Sequence, residues 1–577
     1  MGKFLLGLIT GAVLVVLILV LGFFAFASLK SKPATVADGS TLVLKLAGDV
    51  PEKPPVEIPL PILQGRPALT VESVWNILKR AAADSRIKAV VFEPDSVGVG
   101  WAKMQEIRSD IEEFRKSGKP IYAYLKSPGA REYYMASACS RIYMEPSDLL
   151  NLKGVGLELM YFKNTLDKLG VQVDVEHAGK YKDYGDMFTK TSMSPETREV
   201  MTSIADEIYA DLVHTIAKGR GKDDATLKGI IDDGPFLSKQ ALAQGLVDEL
   251  RFEDQMYGEL KTALHQNELK KVSAQSYAEV PDSSAVSGAR VAFVVGEGSI
   301  TRGDEDSADE GLESTQFDKT LDSVRSDSSI KAVIVRIDSP GGEVTASDEM
   351  WRAMNELRKQ KPVVISMSDA AASGGYYMAM SGAPIVAYPA TETGSIGVVF
   401  GKPNLHGLYD KLGITKDSIS RGRFAMIDSD YQSLTDAGRA KLREGIDADY
   451  KDFVEKVAAA RNRPFDQIEP VAQGRVWLGD QAKANGLVDE LGGIDRAIEL
   501  VKKKAGIAAS ANINLVLYPG KKTLWDLLFK SSADSEVEAT LSRAGLEPLK
   551  AAWRDDRLRV FMRGGMLRMM PFSIEIR

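Results

Sequence analysis

Hydrophobic and polar positions follow two patterns that recur in turn along most of the chain. Residues 71–84 carry apolar side chains at helical spacing, and residues 88–94 form a short apolar run of the kind found in buried strands. A second helical pattern covers residues 104–118 and ends at a glycine, and a second apolar run covers residues 119–125. Strands and helices in close alternation predict parallel strands joined by crossovers, and therefore an α/β fold.

The same alternation returns in the second half of the chain, where the amino-acid sequence itself repeats. Residues 87–96 align with residues 330–339 at an offset of 243 positions, and residues 245–250 are identical to residues 486–491 at an offset of 241. An internal repeat of this length predicts two related α/β units with parallel sheets, each large enough to bury its own core.

The repeats and the segments around them predict a division of the chain into a cytosolic N-terminus (1–3), a transmembrane anchor (4–28), a Pro-rich stem (29–67), the first repeat (68–255), a linker (256–289), the second repeat (290–505) and a C-terminal tail (506–577). Residues 553–572 of the tail mix arginine with apolar residues, a pattern that suits a membrane surface or a subunit contact. We interpret it as a plain packed terminal helix and assign the tail no activity.

The anchor is predicted from an uncharged run of apolar and small residues at positions 4–28. Such a run is long enough for a helix to cross a hydrocarbon core of about 30 Å. A cleaved signal peptide is the alternative, because Ala25-Phe26-Ala27 has the pattern of a cleavage site. The length of the run favours an uncleaved single-pass anchor with Lys3 in the cytosol and the rest outside, although lysines after the run oppose this orientation.

Charge and cysteine content exclude several classes of function. The formal net charge is −7 and the body of the chain has no basic run, which argues against a nucleic-acid partner. The single cysteine, Cys139, excludes an intrachain disulfide and a cysteine zinc site. The nucleotide-binding pattern G-x-x-x-x-G-K-[ST] does not occur, so no ATP is implied. We expect no cofactor and no metal.

The two repeats differ at positions that carry chemistry. Ser373, in AASGGYY, aligns with Ala130, and Lys182, in GKYK, aligns with Ala425. Each repeat therefore keeps one half of a nucleophile and base pair. A serine at a strand-to-helix turn projects its hydroxyl from the backbone, and a lysine acts as a base when burial removes its proton. We predict one active site between the repeats. The ordinary alternatives are that Ser373 belongs to a small-residue turn without a catalytic role and that Lys182 is an exposed lysine. Lys180, two positions earlier, is the obvious decoy for Lys182.

Three further residues are candidates for supporting roles. The amide of Gly374 begins the helix after Ser373, and the amide of Gly342 lies in the turn sequence DSPGG, so that both are candidate donors to an oxyanion. Ser395, in TGSIG, is a candidate for holding the lysine amine toward Ser373. Ordinary turn and capping roles are the alternatives for all three. None of the four histidines, His177, His214, His265 and His406, lies beside a motif that the repeat marks.

These motifs on a doubled chain resemble the signal peptide peptidase A (protease IV) family in its long bacterial form, over roughly residues 42–505. The resemblance implies a Clp-protease/crotonase-like fold in each repeat and a dyad of Ser373 as nucleophile and Lys182 as general base. Ser395 would support the lysine, and the amides of Gly342 and Gly374 would form the oxyanion hole. Residues 183–188 are more acidic than the family pattern.

The same resemblance implies a homotetramer at the outer face of the bacterial inner membrane, anchored through residues 4–28, that hydrolyses signal-peptide remnants and other short apolar peptides without ATP. Two alternatives from other classes stay open. One is a crotonase-like enzyme acting on acyl-CoA thioesters, in which Ser373 has no role. The other is a non-catalytic membrane scaffold that keeps the fold only to bind peptides.

Overall fold

A computed structural model of the chain describes residues 36–54, 68–281, 288–303, 311–520 and 565–570, together with Gly11 and Leu14. Apart from those two residues, the predicted anchor at positions 4–28 lies outside the described residues. Within the part that is described, no helix combines the length and the apolar character that crossing a membrane requires.

The elements of the first half are β1 Ser40–Asp49, α1 Val71–Ala83, β2 Ile87–Gly98, α2 Trp101–Arg115, β3 Ile121–Leu125, α3 Ala130–Ala136, β4 Arg141–Met144, β5 Leu149–Leu150, α4 Lys163–Leu169, β6 Gln172–Ala178, α5 Asp186–Thr189, α6 Pro195–Gly219, α7 Asp224–Asp232, β7 Phe236–Leu237, α8 Ser238–Ala243, β8 Glu249–Leu250, α9 Glu253–Ala263, β9 Lys270–Ser273 and α10 Ala274–Ala278.

Those of the second half are β10 Ala289–Glu297, β11 Ile300–Thr301, β12 Leu312–Glu313, α11 Ser314–Ser326, β13 Ala332–Ser339, β14 Gly341–Glu343, α12 Val344–Gln360, β15 Val363–Ala372, α13 Gly374–Ala379, β16 Ile385–Ala387, β17 Glu392–Gly394, β18 Val398–Asn404, α14 His406–Leu412, α15 Asp436–Arg461, α16 Phe465–Ile468, β19 Val476–Leu478, α17 Gly479–Ala484, β20 Glu490–Leu491, α18 Ile494–Lys504, β21 Ile513–Tyr518 and β22 Gly565–Met569.

The two repeats build two sheets with the same strand order. The first sheet runs β8-β4-β3-β2-β1-β9, and all of its neighbouring strands are parallel. The second contains the same order, β20-β16-β15-β13-β10-β21, with parallel neighbours along it. It also contains β17, parallel to the end of β15, and β19, antiparallel to β17. The predicted α/β fold with parallel sheets is confirmed, and so are the predicted alternating helices and strands. The central strand β13 is buried at all but one position, and residues 89–92 of β2 are all buried, as expected where helices cover both faces of a parallel sheet.

Besides β22, three strands lie outside the boundaries expected for the repeats. β1 falls in the predicted stem, β9 in the predicted linker and β21 in the predicted tail. β9 and β21 occupy the same edge position, beside β1 and β10 respectively. The four residues of β9 carry two lysines and a serine, so their strand conformation comes from pairing with a neighbour and not from a pattern of their own. Each sheet therefore takes its last strand on this edge from outside the predicted bounds of its repeat.

A buried ion network holds the repeats together. Arg336, on β13, is fully buried, and its Nη2 atom lies 2.8 Å from Glu52 Oε1 and 2.5 Å from Glu106 Oε2. Lys103, on α2, lies 2.7 Å from Asp338 at the end of β13. Burying these charges is costly unless partners of opposite sign are aligned, so the network favours one docking arrangement of the two repeats.

A third sheet crosses from one repeat to the other in the order β12-β11-β14-β22-β18-β6. β6 of the first repeat pairs antiparallel with β18 of the second over all of their seven residues. β22 lies between β14 and β18 and is antiparallel to both. Interpreting the tail as a packed helix is therefore wrong for Gly565–Met569, because two glycines in succession disfavour a helix there and two strand edges are available for pairing.

Candidate active site

Ser373 forms the turn between the end of β15 and the start of α13. Its φ is 54° and its ψ is −111°, a backbone conformation that residues with a side chain rarely adopt. The aligned residue of the first repeat, Ala130, lies inside α3, where the preceding Gly129 has an ordinary φ of −86°. In the first repeat the positive φ of this turn lies at Ser127, with a φ of 45°, and not at the residue aligned with Ser373. The strain at Ser373 itself is therefore particular to the second repeat, and strained backbone is typical of residues held in place for function.

Lys182 is brought to Ser373 by the strand pairing between β6 and β18 and by the turn that follows β6. The Tyr181 amide donates a hydrogen bond to the Gln473 carbonyl at 2.8 Å, and the Lys182 amide donates to the Gly179 carbonyl at 3.2 Å. The turn is thereby attached to the second repeat, and the Lys182 side chain is fully buried. Lys180, two residues earlier, is exposed, and its Nζ atom lies 3.4 Å from the Tyr181 hydroxyl.

The amine of Lys182 has three oxygen neighbours, all in the second repeat. Its Nζ atom lies 2.8 Å from Ser373 Oγ, 2.9 Å from the Ser395 carbonyl oxygen and 2.9 Å from Ser395 Oγ. The backbones of the two serines are also connected, because the Ser373 amide donates to the carbonyl of Gly394 at 2.8 Å. The structure thus brings together the three side chains that the sequence marked: Lys182, Ser373 and Ser395.

The surroundings of Lys182 favour the neutral amine. Burial lowers the pKa of Lys182 well below its usual value, the nearby Asp183 raises it, and the Arg568 cation lowers it further. Burial also raises the pKa of Asp183 to about 6, although a hydrogen bond from Thr197 favours its carboxylate. The site therefore contains a lysine that water does not reach and a neighbouring acid that titrates near neutrality.

The two glycine-rich segments of the site lie against each other. A Cβ atom on Gly341 would lie 2.6 Å from the Gly374 amide nitrogen and would collide with the carbonyl oxygen of Arg568. Gly341 has a φ of +100°, which a residue with a side chain adopts only with strain. A Cβ atom on Gly342 would collide with Ile300. β14 and the first turn of α13 therefore meet at the serine, with the candidate oxyanion residues Gly342 and Gly374 in these two segments.

None of the four histidines lies in the buried site around Ser373. His177, His214, His265 and His406 are all exposed, whereas Ser373 is fully buried. Among the described residues, no group of His, Cys, Asp and Glu side chains is arranged to hold a metal ion.

Sequence reasoning missed one residue of the site, Arg568. Its side chain is 1% exposed and its guanidinium carbon lies 3.6 Å from the ring centre of Tyr377, on the helix that follows Ser373. The only sequence feature that pointed to Arg568 was the mixture of arginine and apolar residues in the tail. That mixture does not indicate where on the protein the segment packs.

Comparison with known proteins gives matches in both repeats. A family model described as peptidase family S49 matches residues 113–267 and 355–508. The chain is 35% identical over 492 residues to the chloroplastic serine protease SPPA of Arabidopsis thaliana, with 83% of this chain and 71% of that protein covered. It is 32% identical over 489 residues to Protease 4 of Salmonella typhi, with 82% and 77% covered. Among solved structures, ClpP1 from Listeria monocytogenes covers 35% of this chain and 91% of its own at 16% identity, with a TM-score of 0.22.

Proposed function

Since this chain belongs to peptidase family S49 and is a serine peptidase, we propose that it is a membrane-anchored endopeptidase in which Ser373 is the nucleophile and Lys182 the general base. The observation that carries the proposal is the distance of 2.8 Å between Lys182 Nζ and Ser373 Oγ, with both side chains fully buried. An exposed lysine near pH 7 is an ammonium ion and accepts no proton, whereas a buried one can be neutral.

The proposed reaction is acyl transfer through a covalent intermediate. Neutral Lys182 takes the hydroxyl proton of Ser373 as the Oγ atom attacks the peptide carbonyl carbon, and the amides of Gly342 and Gly374 stabilise the negative oxygen that forms. The lysine then gives its proton to the leaving amine as the peptide bond breaks. In the second half, Lys182 takes a proton from water as the water oxygen attacks the acyl-enzyme carbonyl carbon. The ester bond to Ser373 Oγ then breaks, the lysine returns its proton to that oxygen, and the acid product leaves.

Ser395 is proposed to orient the lysine. Its hydroxyl and carbonyl oxygens accept two hydrogen bonds from the Lys182 amine, which directs the remaining lone pair of the nitrogen toward Ser373. Each repeat contributes one reacting side chain, and we propose that both have a Clp-protease/crotonase-like fold.

We also propose that residues 4–28 anchor the enzyme in a bacterial inner membrane, with the catalytic part outside the cytoplasm as a homotetramer. The uncharged apolar run of the sequence supports the anchor. The sequence has no nucleotide-binding motif for ATP-driven unfolding, so the substrates must be short or already unfolded. Cleaved signal peptides and other short apolar peptides meet that requirement.

Labelling with a fluorophosphonate probe tests the dyad in the full-length protein. We expect the probe to modify Ser373, and we expect labelling and peptide hydrolysis to be lost in Ser373→Ala and Lys182→Ala. Lys180→Ala, which removes an exposed lysine of the same turn, is the matched control and is expected to keep both activities. Hydrolysis that survives Ser373→Ala contradicts the proposal, and the absence of both labelling and hydrolysis in the wild type favours a peptide-binding scaffold.

A further inference from the structure

The C-terminal strand β22 lies directly over the candidate catalytic residues. Its register places Arg568 opposite Gly342 of β14 and Leu567 opposite Val399 of β18. The amide of Met570 donates a hydrogen bond to the carbonyl of Pro340 at 2.8 Å. Residues 565–570 thus follow the DSPGG segment as an added antiparallel strand, which is how proteins commonly bind extended peptides.

The carbonyl group of Arg568 is the part of this strand that lies at the candidate oxyanion hole. Its oxygen would be 3.1 Å from a Cβ atom on Gly374, and it would collide with one on Gly341. The absence of side chains at these two glycines leaves the space that the carbonyl oxygen occupies. A substrate carbonyl under attack by Ser373 requires the same place, close to the amides of Gly342 and Gly374.

The side chain of Arg568 enters a pocket that we call the cation pocket, formed by Tyr377, Phe453, Asp348 and Asp452. The guanidinium carbon lies 3.6 Å from the ring centre of Tyr377 and 5.4 Å from that of Phe453. Its Nη2 atom lies 3.7 Å from Asp452 Oδ2. Aromatic faces and carboxylates together attract a guanidinium or ammonium group and offer little to an aliphatic side chain.

The two acids of the cation pocket, Asp348 and Asp452, share hydrogen-bonding and cationic neighbours. The Tyr377 hydroxyl oxygen lies 2.6 Å from Asp348 Oδ1 and 2.9 Å from Asp452 Oδ2, so the two acids share its one proton donor, and Lys456 contacts both acids. Burial opposes ionisation of Asp348, but the hydrogen bonds from Tyr377 and Lys456 and the Arg568 cation lower its pKa. The pocket has two acidic side chains and one lysine of its own, and the Arg568 guanidinium is the second basic group among them.

The first repeat has a tyrosine–aspartate pair at the corresponding place, but it lacks a second acidic residue there. Tyr134 donates to Asp211 at 2.9 Å, and the neighbouring side chain is Gln105, whose Nε2 atom donates to the same carboxylate at 3.0 Å. The first repeat lacks the serine nucleophile and has a glutamine in contact with its aspartate. The additional carboxylate is therefore found in the repeat that carries Ser373.

We propose that the cation pocket selects an arginine or lysine side chain at the residue whose carbonyl Ser373 attacks, and that Arg568 of the chain's own C-terminal strand is its resting occupant. This inference rests on the proposed function and deepens it by naming a substrate preference and an internal competitor. A basic residue in the pocket also lies where its charge lowers the pKa of Lys182, so a basic substrate helps to keep the base neutral.

A panel of internally quenched peptides, identical except for Arg, Lys, Leu or Ala at one position, tests the preference with the full-length enzyme. We expect kcat/KM for cleavage after Arg to exceed that after Leu by about tenfold or more, as loss of a charged pair in a buried pocket commonly gives. Asp452→Asn should reduce this ratio about tenfold. Asp211→Asn, which changes the corresponding Tyr–Asp pair of the first repeat, is the matched control and should leave the ratio unchanged.

The tail is tested by Arg568→Ala, which should raise kcat/KM for the Arg peptide severalfold, while Arg568→Lys should stay near the wild type. The hexapeptide GMLRMM should compete with substrate at least about tenfold better than GMLLMM, because only the first supplies a cation. The same hexapeptides labelled with a fluorophore and titrated onto the Ser373→Ala protein measure binding without catalysis, including in an Asp452→Asn background.

The outcomes separate the two proposals. Cleavage that depends on Ser373 but is equal or faster after Leu than after Arg overturns the proposed preference of the cation pocket and leaves the proposed dyad intact. Equal binding of the two hexapeptides has the same meaning. Cleavage that is unaffected by Ser373→Ala overturns the proposed function. Activity that does not rise in a folded Arg568→Ala protein overturns the tail as a competitor.

Discussion

Gly474 and Lys182 approach so closely that a Cβ atom on the glycine would lie 2.6 Å from the Cβ atom of the lysine. The glycine also has a φ of +75°, in the left-handed region that side chains disfavour. This contact joins the second repeat to the turn of the first repeat that carries Lys182. The position of the lysine amine therefore depends on a residue with no side chain in the other repeat.

Replacing Gly474 by alanine is expected to lower kcat/KM by about a hundredfold, because the new methyl group must displace the Lys182 backbone and a shift of about 1 Å at a reacting group has an effect of that size. Gly118→Ala is the matched control, since Gly118 has a φ of +79° and nothing within 4 Å of its built Cβ atom. In both variants the positive φ of the new alanine should lower the free energy of unfolding by about 1–2 kcal/mol. Steady-state kinetics on a fluorogenic peptide measures the difference, and equal losses in the two variants would argue against close packing at Lys182.

Ser395→Ala removes one of the two contacts that Ser395 makes with the Lys182 amine and leaves the carbonyl contact in place. The loss of a single hydrogen bond of about 1 kcal/mol predicts a decrease in kcat of roughly fivefold. Because Ser395 acts through the lysine, KM should stay near its wild-type value and Ser395→Thr should restore part of the rate. A larger effect on KM than on kcat would instead indicate that Ser395 contacts the substrate.

The pH profile of kcat/KM is expected to move in Asp183→Asn. In the proposed mechanism activity is lost at acid pH as Lys182 takes up a proton. The Asp183 carboxylate raises the pKa of that lysine, while Arg568 lowers it. Removing the carboxylate lowers the lysine pKa, so the acidic limb of the profile should move to lower pH. Asp167→Asn, which removes an equal charge from an exposed pair with Lys163, should leave the limb in place. A shift to higher pH contradicts the assignment of the limb to Lys182.

Arg336→Met tests the ion network between the repeats. Removing the arginine leaves Glu52 and Glu106 buried without their partner, which predicts a loss of about 3–5 kcal/mol in the free energy of unfolding. Arg496→Met breaks a partly exposed pair with Glu490 and should cost no more than about 1 kcal/mol. Urea denaturation followed by circular dichroism compares the two variants, and a loss at Arg336 no greater than at Arg496 would mean that the network does not hold the repeats together.

Local patterns were sufficient to predict the secondary structure that surrounds the site. The apolar runs that became β2 and β13 and the helical spacing that became α1 and α12 are properties of neighbouring residues, and burial on both faces of a parallel sheet preserves them. The comparison of one repeat with the other marked Ser373 and Lys182, because a difference between two copies can be read without knowing where either copy lies in space.

The sequence by itself determined the doubled α/β fold and the residues that were candidates for chemistry, since both depend on order along the chain. The comparison of the repeats favoured Lys182 over Lys180, but only the tertiary structure shows that Lys182 is buried while Lys180 is exposed, because the docking of the repeats decides which of the two is removed from water. It also decided the place of Arg568, since an added strand takes its position from the free edges of β14 and β18 and not from its own composition.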